Sequence, residues 1–382
     1  MNRQLLRFYV SRRLLVFSTI LSALLFTFSM QTFAANFTVN FTTDFHDASI
    51  SDGVCDTNVS TPELDCTLRA VIEQTNNNGV RSTAGDFDGD GKADIAVFRR
   101  SNGFWYVMNS SGGFSAVQWG FGTDSLVPGD YDGDGKTDLA VYRRGPNNFG
   151  FGNINDNAWH IRRSSDNAFL TRQYGKNGGY EWDIPRPADY DGDGKTDLGL
   201  YELSDGIGGT GDFKVWQSSD GARYEKRFGS NADRIVPRDY DGDGKADLAT
   251  VRTEPQFSSN GIAIWQILQS SDGATKQVQF GLATDVTVPR DYDGDGRADI
   301  AVYRPSSGTW YFLNSNNGSF SAIRFGLSTD VTVPADYDGD GKTDIAVFRP
   351  SNGTWYLQQS KDGFAAYVFG LPDDVPVTGL AR

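Results

Sequence analysis

From about residue 84 onward the chain alternates short apolar runs with polar, glycine-rich stretches. The runs Ile95-Ala-Val-Phe98, Leu139-Ala-Val-Tyr142, Ile300-Ala-Val-Tyr303 and Ile345-Ala-Val-Phe348 are rich in β-branched and aromatic side chains. Bounded by Gly, Ser and Asn, they predict buried strands. A turn follows (Ser101-Asn-Gly103, Ser306-Ser-Gly308, Ser351-Asn-Gly353), then a strand centred on tryptophan: Trp105, Trp159, Trp216, Trp265, Trp310 or Trp355. A further strand ends in an aromatic-glycine pair: Phe121-Gly122, Tyr174-Gly175, Phe228-Gly229, Phe280-Gly281, Phe325-Gly326 and Phe369-Gly370. A short segment such as Asp330-Val-Thr-Val-Pro-Ala-Asp336 leads into the next unit. Four short strands, repeated with a period of about 50 residues, predict the blades of a β-propeller. The tryptophans are expected to pack between blades, where large aromatics contribute most.

The polar stretch that opens each unit is a nine-residue signature, Asp-x-Asp-Gly-Asp-Gly-x-x-Asp. Its acids are Asp86, Asp88, Asp90 and Asp94; Asp130, Asp132, Asp134 and Asp138; Asp189, Asp191, Asp193 and Asp197; Asp239, Asp241, Asp243 and Asp247; Asp291, Asp293, Asp295 and Asp299; Asp336, Asp338, Asp340 and Asp344. Four carboxylates this close repel unless a hard cation lies among them, and Ca²⁺ takes six to eight oxygen ligands in flexible geometry. An EF-hand is excluded, because its twelfth position needs a bidentate Glu. Here that position holds Val97, Val141, Leu200, Thr250, Val302 and Val347. Up to six structural Ca²⁺ ions are therefore expected, in loops that join strands.

The expected fold is all-β, a propeller of six four-stranded blades, with seven as the runner-up. The C-terminal segment Asp374-Val-Pro-Val is an entry strand without its loop, expected to complete the first blade beside or in place of 81–85. Charge agrees with metal loops: the chain has 49 acids against 35 bases and a formal net charge of −14. The loops hold about half of those acids, so the remainder of the chain is net basic. No basic stripe or interleaved stacking motif is present, which argues against nucleic acid as a ligand.

The stretch 336–350, Asp-Tyr-Asp-Gly-Asp-Gly-Lys-Thr-Asp-Ile-Ala-Val-Phe-Arg-Pro, resembles the FG-GAP/VCBS repeats of secreted bacterial proteins. Those repeats are similar to the calcium-binding blades of the integrin α-subunit. The resemblance covers 84–382 and implies a calcium-stabilised propeller whose metal loops join the first and second strands of each blade. It implies no particular ligand.

Residues 1–34 read as a secretory signal peptide, with a basic start, an apolar run and small residues before Ala34; an uncleaved anchor is the alternative. No other membrane span is expected, so the chain is placed outside the cell or at its surface, with the periplasm as an alternative. In 35–74, Cys55 and Cys66 are expected to form a disulfide in that oxidising setting. A zinc site would need two more ligands, and only His46 is near. The residues around them resemble the CSLREA-type segment of some bacterial surface proteins, although Ala70-Val71 replaces its Glu-Ala. Residues 66–74 are expected as one helix and 75–83 as a linker.

No catalytic residue is assigned. There are two distant histidines, His46 and His160, no Gly-x-Ser-x-Gly elbow and no spare thiol. A glycosidase-like acid pair drawn from Glu181, Asp183 and Asp212 stays open. Extra residues interrupt the repeat in three consecutive units, at 144–158, 203–214 and 253–263. These connections, with the longer one between the second and third units, should emerge on the face opposite the loops. Binding residues favour loops on a rigid scaffold. The candidates are Asn147, Phe149, Phe151, Asn153, Asn155, Tyr180 and Trp182, a set of aromatics and amides suited to carbohydrate or peptide. Three functions are carried forward: a secreted non-catalytic binding or adhesion protein for an extracellular carbohydrate or protein, a secreted carbohydrate-active enzyme, and a surface module that associates with its own copies.

Overall fold

The computed structural model describes residues 7–9, 36–38, 85–145, 157–175, 182–203, 209–255 and 261–378. The chain divides into two units, Met1–Arg81 and Ser82–Arg382. In the first, Arg7–Tyr9 and Asn36–Thr38 pair as antiparallel strands. The leader apart from Arg7–Tyr9, and the expected Cys55–Cys66 disulfide, helix at 66–74 and linker at 75–83, lie outside the described residues. No helix among the described residues is long and apolar enough to cross a membrane.

The second unit is a six-bladed, all-β propeller in which every blade is a four-stranded antiparallel sheet. Blade 2 sets the pattern, with strands Ser125–Leu126, Leu139–Arg143, Ala158–Arg162 and Phe169–Gln173. Blade 3 opens at Trp182–Pro185, blade 4 at Arg234–Ile235, blade 5 at Val286–Thr287 and blade 6 at Val331–Thr332. The second and third strands bury their side chains, whereas the fourth is exposed along most of its length, as in Phe320–Arg324. The short first strand is therefore the inner edge and the fourth the outer edge.

Blade 1 is completed by the other end of the chain. Val375–Val377 pairs with Ile95–Arg99, placing Pro376 opposite Val97, and the closing strand expected from the sequence is in place. Proline suits this edge position, where its missing N–H removes no ladder bond. A bidentate ion pair from Arg99 to Asp374, both contacts at 2.8 Å, secures the same join.

The apolar residues do not form one core. They fall into six clusters, one per seam between neighbouring blades. Trp105, Trp159, Trp265, Trp310 and Trp355 are fully buried in them. The sixth place belongs to Phe213, also fully buried, and not to Trp216. Counting back five residues from the serine that follows the third strand identifies the equivalent position in each blade, and in blade 3 that count from Ser218 gives Phe213. Trp216 lies three residues on, half-buried, against Tyr174 and beneath Arg223.

Two further expectations are corrected. In blade 1 the aromatic-glycine pair is Trp119-Gly120, not Phe121-Gly122. Trp105 Nε1 donates to Trp119 O at 2.7 Å, as Trp310 Nε1 does to Phe325 O at 2.8 Å. Gly120 takes φ +95°, where a side chain would collide with Val141 of the next blade. The extra residues of units 3 and 4 also become longer ladders more than longer loops. Leu198–Leu203 pairs with Thr210–Trp216, and Leu248–Glu254 with Ile262–Leu268, where other blades use five-residue strands such as Ile300–Arg304.

Candidate functional site

Five of the six Asp-rich loops join a first strand to a second; the loop 86–94 leads only into the second strand of blade 1, whose first strand is Val375–Val377, which corrects the expectation for that blade. All six lie on one face. Antiparallel order puts the turn between third and fourth strands on that same face. In blade 2, Asp130 accepts from Gly133 N–H at 2.6 Å and Gly135 N–H at 2.8 Å. The closing Asp138 accepts from Tyr131 N–H at 2.9 Å and Ser164 N–H at 2.6 Å. Serine hydroxyls from the third-to-fourth turn reach the remaining acids: Ser164 donates to Asp134 and Ser165 to Asp132. Equivalent serines serve blades 1, 3 and 4. The sequence reading missed them, although a serine stands at the same offset after every third strand.

The loops interlock around the ring. At the eighth loop position a backbone N–H donates to the carbonyl oxygen of the first aspartate in the preceding blade. These bonds run Thr137 to Asp86, Thr196 to Asp130, Ala246 to Asp189, Ala298 to Asp239, Thr343 to Asp291 and Ala93 to Asp336, at 2.6–2.7 Å. The seventh residue, Lys or Arg, lies over the fourth-position glycine of the same preceding loop. A Cβ on Gly89 would come within 2.7 Å of Lys136 Cε, and one on Gly339 within 3.1 Å of Lys92 Cγ. Those glycines also hold positive φ, and it is this conformation that favours glycine there.

The donor set fits a hard cation. Carboxylate oxygens of Asp86, Asp88 and Asp90 lie within 4.8 Å of one another, as do those of Asp130, Asp132 and Asp138. Similar groups recur at Asp189, Asp191 and Asp197, at Asp239, Asp241 and Asp247, and at Asp291, Asp293 and Asp295. In blade 5 the second serine is replaced by Asn316, and Asp293 Oδ2 is left buried with no hydrogen-bond partner. Desolvation pushes the closing aspartates up, Asp94, Asp138, Asp197, Asp247 and Asp299 to about 6 and Asp344 to about 7. Backbone N–H bonds oppose this, and neighbouring acids reinforce it. A bound cation would reverse the balance.

On the opposite face the repeat builds a second ring of polar contacts. An aspartate at the mouth of the first strand meets an arginine at the end of the second. The pairs are Arg99–Asp374, Arg143–Asp124, Arg252–Asp233, Arg304–Asp285 and Arg349–Asp330, at 2.7–3.3 Å, with the aspartate side chains buried. Arg99, Arg304 and Arg349 also stack over Tyr106, Tyr311 and Tyr356.

Blade 3 departs from this rule. Glu202 occupies the arginine position, facing Asp183 across the first ladder and Asp212 across the second. All three carboxylates are at least nine-tenths buried. Tyr142 of blade 2 donates to Asp183 at 3.3 Å, and Arg144 Nη2 reaches the Asp183 carbonyl at 3.0 Å. Lys214 is ion-paired to Glu202, and Arg227 contacts Asp212 at 3.1 Å. Asp183 and Asp212, named from the sequence as candidate acids, are thus brought into one row; Glu181 lies outside the described residues. Glu202 was missed, although it is a glutamate where five units have arginine. Of the named ligand candidates, Asn147, Phe149, Phe151, Asn153, Asn155 and Tyr180 lie outside the described residues. The backbone of Trp182 begins the first strand of blade 3, opposite Leu203.

Residues 86–141 and 291–347 match the FG-GAP-like repeat, and 329–369 match the FG-GAP repeat. The chain therefore carries FG-GAP-like repeats. No curated protein matches it. Among solved structures, a lectin of Agrocybe aegerita described as recognising non-reducing terminal N-acetylglucosamine is 16% identical. That likeness covers 78% of this chain and 92% of the lectin, with a TM-score of 0.46. Streptogramin B lyase is 8% identical over 78% of this chain and 91% of its own, with a TM-score of 0.43. Likeness at this level carries no statement about function.

Proposed function

We propose that this chain is a secreted, calcium-stabilised, non-catalytic binding or adhesion protein. It engages an extracellular carbohydrate or protein through the face opposite the Asp-rich loops, at blades 2 to 4. The observation that carries this is the replacement in blade 3. Five blades close that face with an ion pair from a partly exposed arginine to a buried aspartate, whereas blade 3 sets the buried row Asp183, Glu202 and Asp212 at the roots of the interrupting connections. The aromatics and amides expected from the sequence, Asn147, Phe149, Phe151, Asn153, Asn155, Tyr180 and Trp182, are proposed to supply the ligand contacts. Calcium, held by the loop aspartates, fixes the ring on which the surface is carried.

A glycan and matrix-protein array, run with Ca²⁺ and with chelator, tests this on the wild type and on Glu202→Arg. Expected is a ligand captured by the wild type with Ca²⁺ and lost in the variant, which still melts cooperatively although it loses the Lys214–Glu202 ion pair. Equal capture by both proteins would move the site elsewhere. The same row of carboxylates favours a second reading, a carbohydrate-active enzyme, because paired acids are the groups that glycoside cleavage uses. Products released from a polysaccharide panel, and lost in Asp183→Asn, would select it.

A further inference from the structure

Blade 2 departs from the repeat at three nearby positions, and all three border one cavity. Opposite the first residue of each second strand, five blades place Met108, Trp216, Leu268, Leu313 or Gln358. Blade 2 places Arg162 there, against Leu139. The next residue is Asn or Gln in those five blades and Arg163 in blade 2. Three places after the turn serine, five blades have a glycine with positive φ, and blade 2 has Asn167 at φ +57°. Asparagine tolerates that conformation, so the turn keeps its shape and gains an amide.

Met108, Trp216, Leu268 and Leu313 pack against the apolar clusters of their seams. Between blades 1 and 2 the arginine stands in that place, and a cavity of about 170 Å³ opens beside it. Phe87, Val107 and Leu139 form an apolar wall, and Lys136, Arg162, Arg163 and Asn167 line the rest.

Positive charge is gathered around this cavity with little to match it. Arg162 Nη2 donates to Asn167 Oδ1 at 3.1 Å, and Arg162 has no carboxylate partner among the described residues. Lys136, whose stem lies over Gly89, makes no hydrogen bond or ion pair through its ammonium group among them either. Only Arg163 is paired, at the surface, with Asp166. The Nε atoms of Arg162 and Arg163 are both buried without a hydrogen-bond partner, and a buried donor without an acceptor is costly. The acids of the adjoining loop are already engaged: Asp138 accepts from Ser164 N–H at 2.6 Å, and Asp134 from the Ser164 hydroxyl. With its oxygen taken by Arg162, the Asn167 amide keeps its N–H donors for another group.

We infer that this cavity is a binding pocket for an organic oxyanion, a carboxylate or sulfate group carried on a body of about one sugar ring. Guanidinium and ammonium donors suit the oxygens of such a group. The apolar wall suits the face of a ring, which a bare inorganic ion would leave uncovered. Lys136 belongs to a loop and Asn167 to a third-to-fourth turn, so the pocket sits at the rim of the Asp-rich face. It is therefore separate from the proposed ligand face.

The full chain is titrated calorimetrically, at one fixed Ca²⁺ concentration, with sodium glucuronate, glucose 6-sulfate, glucose, sodium sulfate and sodium chloride. The proteins are wild type, Arg162→Leu, Arg162→Lys and Asn167→Gly. Expected is saturable binding of both acidic sugars by the wild type, weaker binding of sulfate, and none of glucose or chloride. Arg162→Leu should bind the acidic sugars at least about tenfold more weakly, since a hydrogen bond to a charged group is lost. Its melting temperature should equal or exceed that of wild type, because leucine fills the same place in blades 4 and 5. Arg162→Lys and Asn167→Gly should each weaken binding less, and Glu202→Arg should leave it unchanged. Should Arg162→Leu fail to fold, the losses in Arg162→Lys and Asn167→Gly decide the matter. Tighter binding of glucose 6-sulfate than of glucuronate identifies the sulfate ester as the source, and the reverse order the carboxylate. Glucose bound as tightly as the acidic sugars, or sulfate as tightly as either, overturns the organic oxyanion. No saturable binding by the wild type, or the same binding in folded variants, overturns the pocket.

Discussion

The backbone N–H of Ala93 donates to the carbonyl oxygen of Asp336 at 2.7 Å, and so the last loop of the chain is joined to the first. It repeats, between the two ends of the sequence, a bond that every other seam forms between consecutive blades. The two ends are also held by the ladder of Val375–Val377 on Ile95–Arg99 and by the ion pair of Arg99 with Asp374.

Arg99→Ala should therefore be more damaging than its surface position suggests. It leaves the buried Asp374 carboxylate without its partner, and breaking a buried pair from one side costs about 3 kcal/mol. R99L/D374L should recover part of that loss. Urea melts of both proteins check this; a double variant no more stable than the single would show that the pair holds the closing strand and not merely its own charge.

Trp310→Ala and Trp216→Ala should separate clearly. Trp310 is fully buried in a seam and bonded to Phe325 O, so its loss costs about 3–5 kcal/mol. Trp216 is half-buried at a seam margin, and its truncation should cost less than about 2 kcal/mol. Phe213→Ala should resemble Trp310→Ala. Comparable melting temperatures for the Trp216 and Trp310 variants would return Trp216 to the seam.

The metal-free protein should be more stable at pH 5 than at pH 7.5. The closing aspartates titrate at about 6 or 7 in the fold, against 3.8 for the ordinary group. Between those values the folded state binds more protons than the unfolded chain, so stability rises as pH falls through the window. Calcium needs the carboxylates deprotonated, so its stabilising effect should shrink over the same range. Thermal melts in chelator and in Ca²⁺ across pH 5–8 measure both; a chelated melt that is steady or rises with pH would contradict the assignment.

Re-addition of Ca²⁺ to the chelated protein should restore the melting temperature, and Mg²⁺ should do so less well, because Mg²⁺ demands a tighter octahedral shell. Asp293→Asn should weaken the response at one loop out of six. A melt indifferent to chelator would remove calcium from the stability of the ring.

The blades were legible because a strict loop motif marks each one and β-branched runs mark the second strands. What escaped was whatever depended on an offset and not on a residue name. Phe213 was passed over for Trp216 since tryptophan was the landmark, and only the count back from Ser218 separates them. Trp119-Gly120 was hidden by the more familiar Phe121-Gly122 two residues later. Glu202 was visible as a departure only once five arginines were seen to share one structural place. The loop acids needed no such help, since their spacing is local. The cross-strand row Asp183, Glu202 and Asp212 depends on register between segments far apart in sequence, which no local pattern reports.

The lysine or arginine that lies over the preceding loop's glycine gives the array a circular grammar. A linear repeat protein has terminal units that fray first and need caps; here every loop is both cover and covered, and none is terminal. A lesion in one loop is felt in two seams, and a cation held in one loop would bear on the neighbours on either side. Blades cannot be peeled away one at a time: the ring opens as a whole, or it must close again with a different number of members.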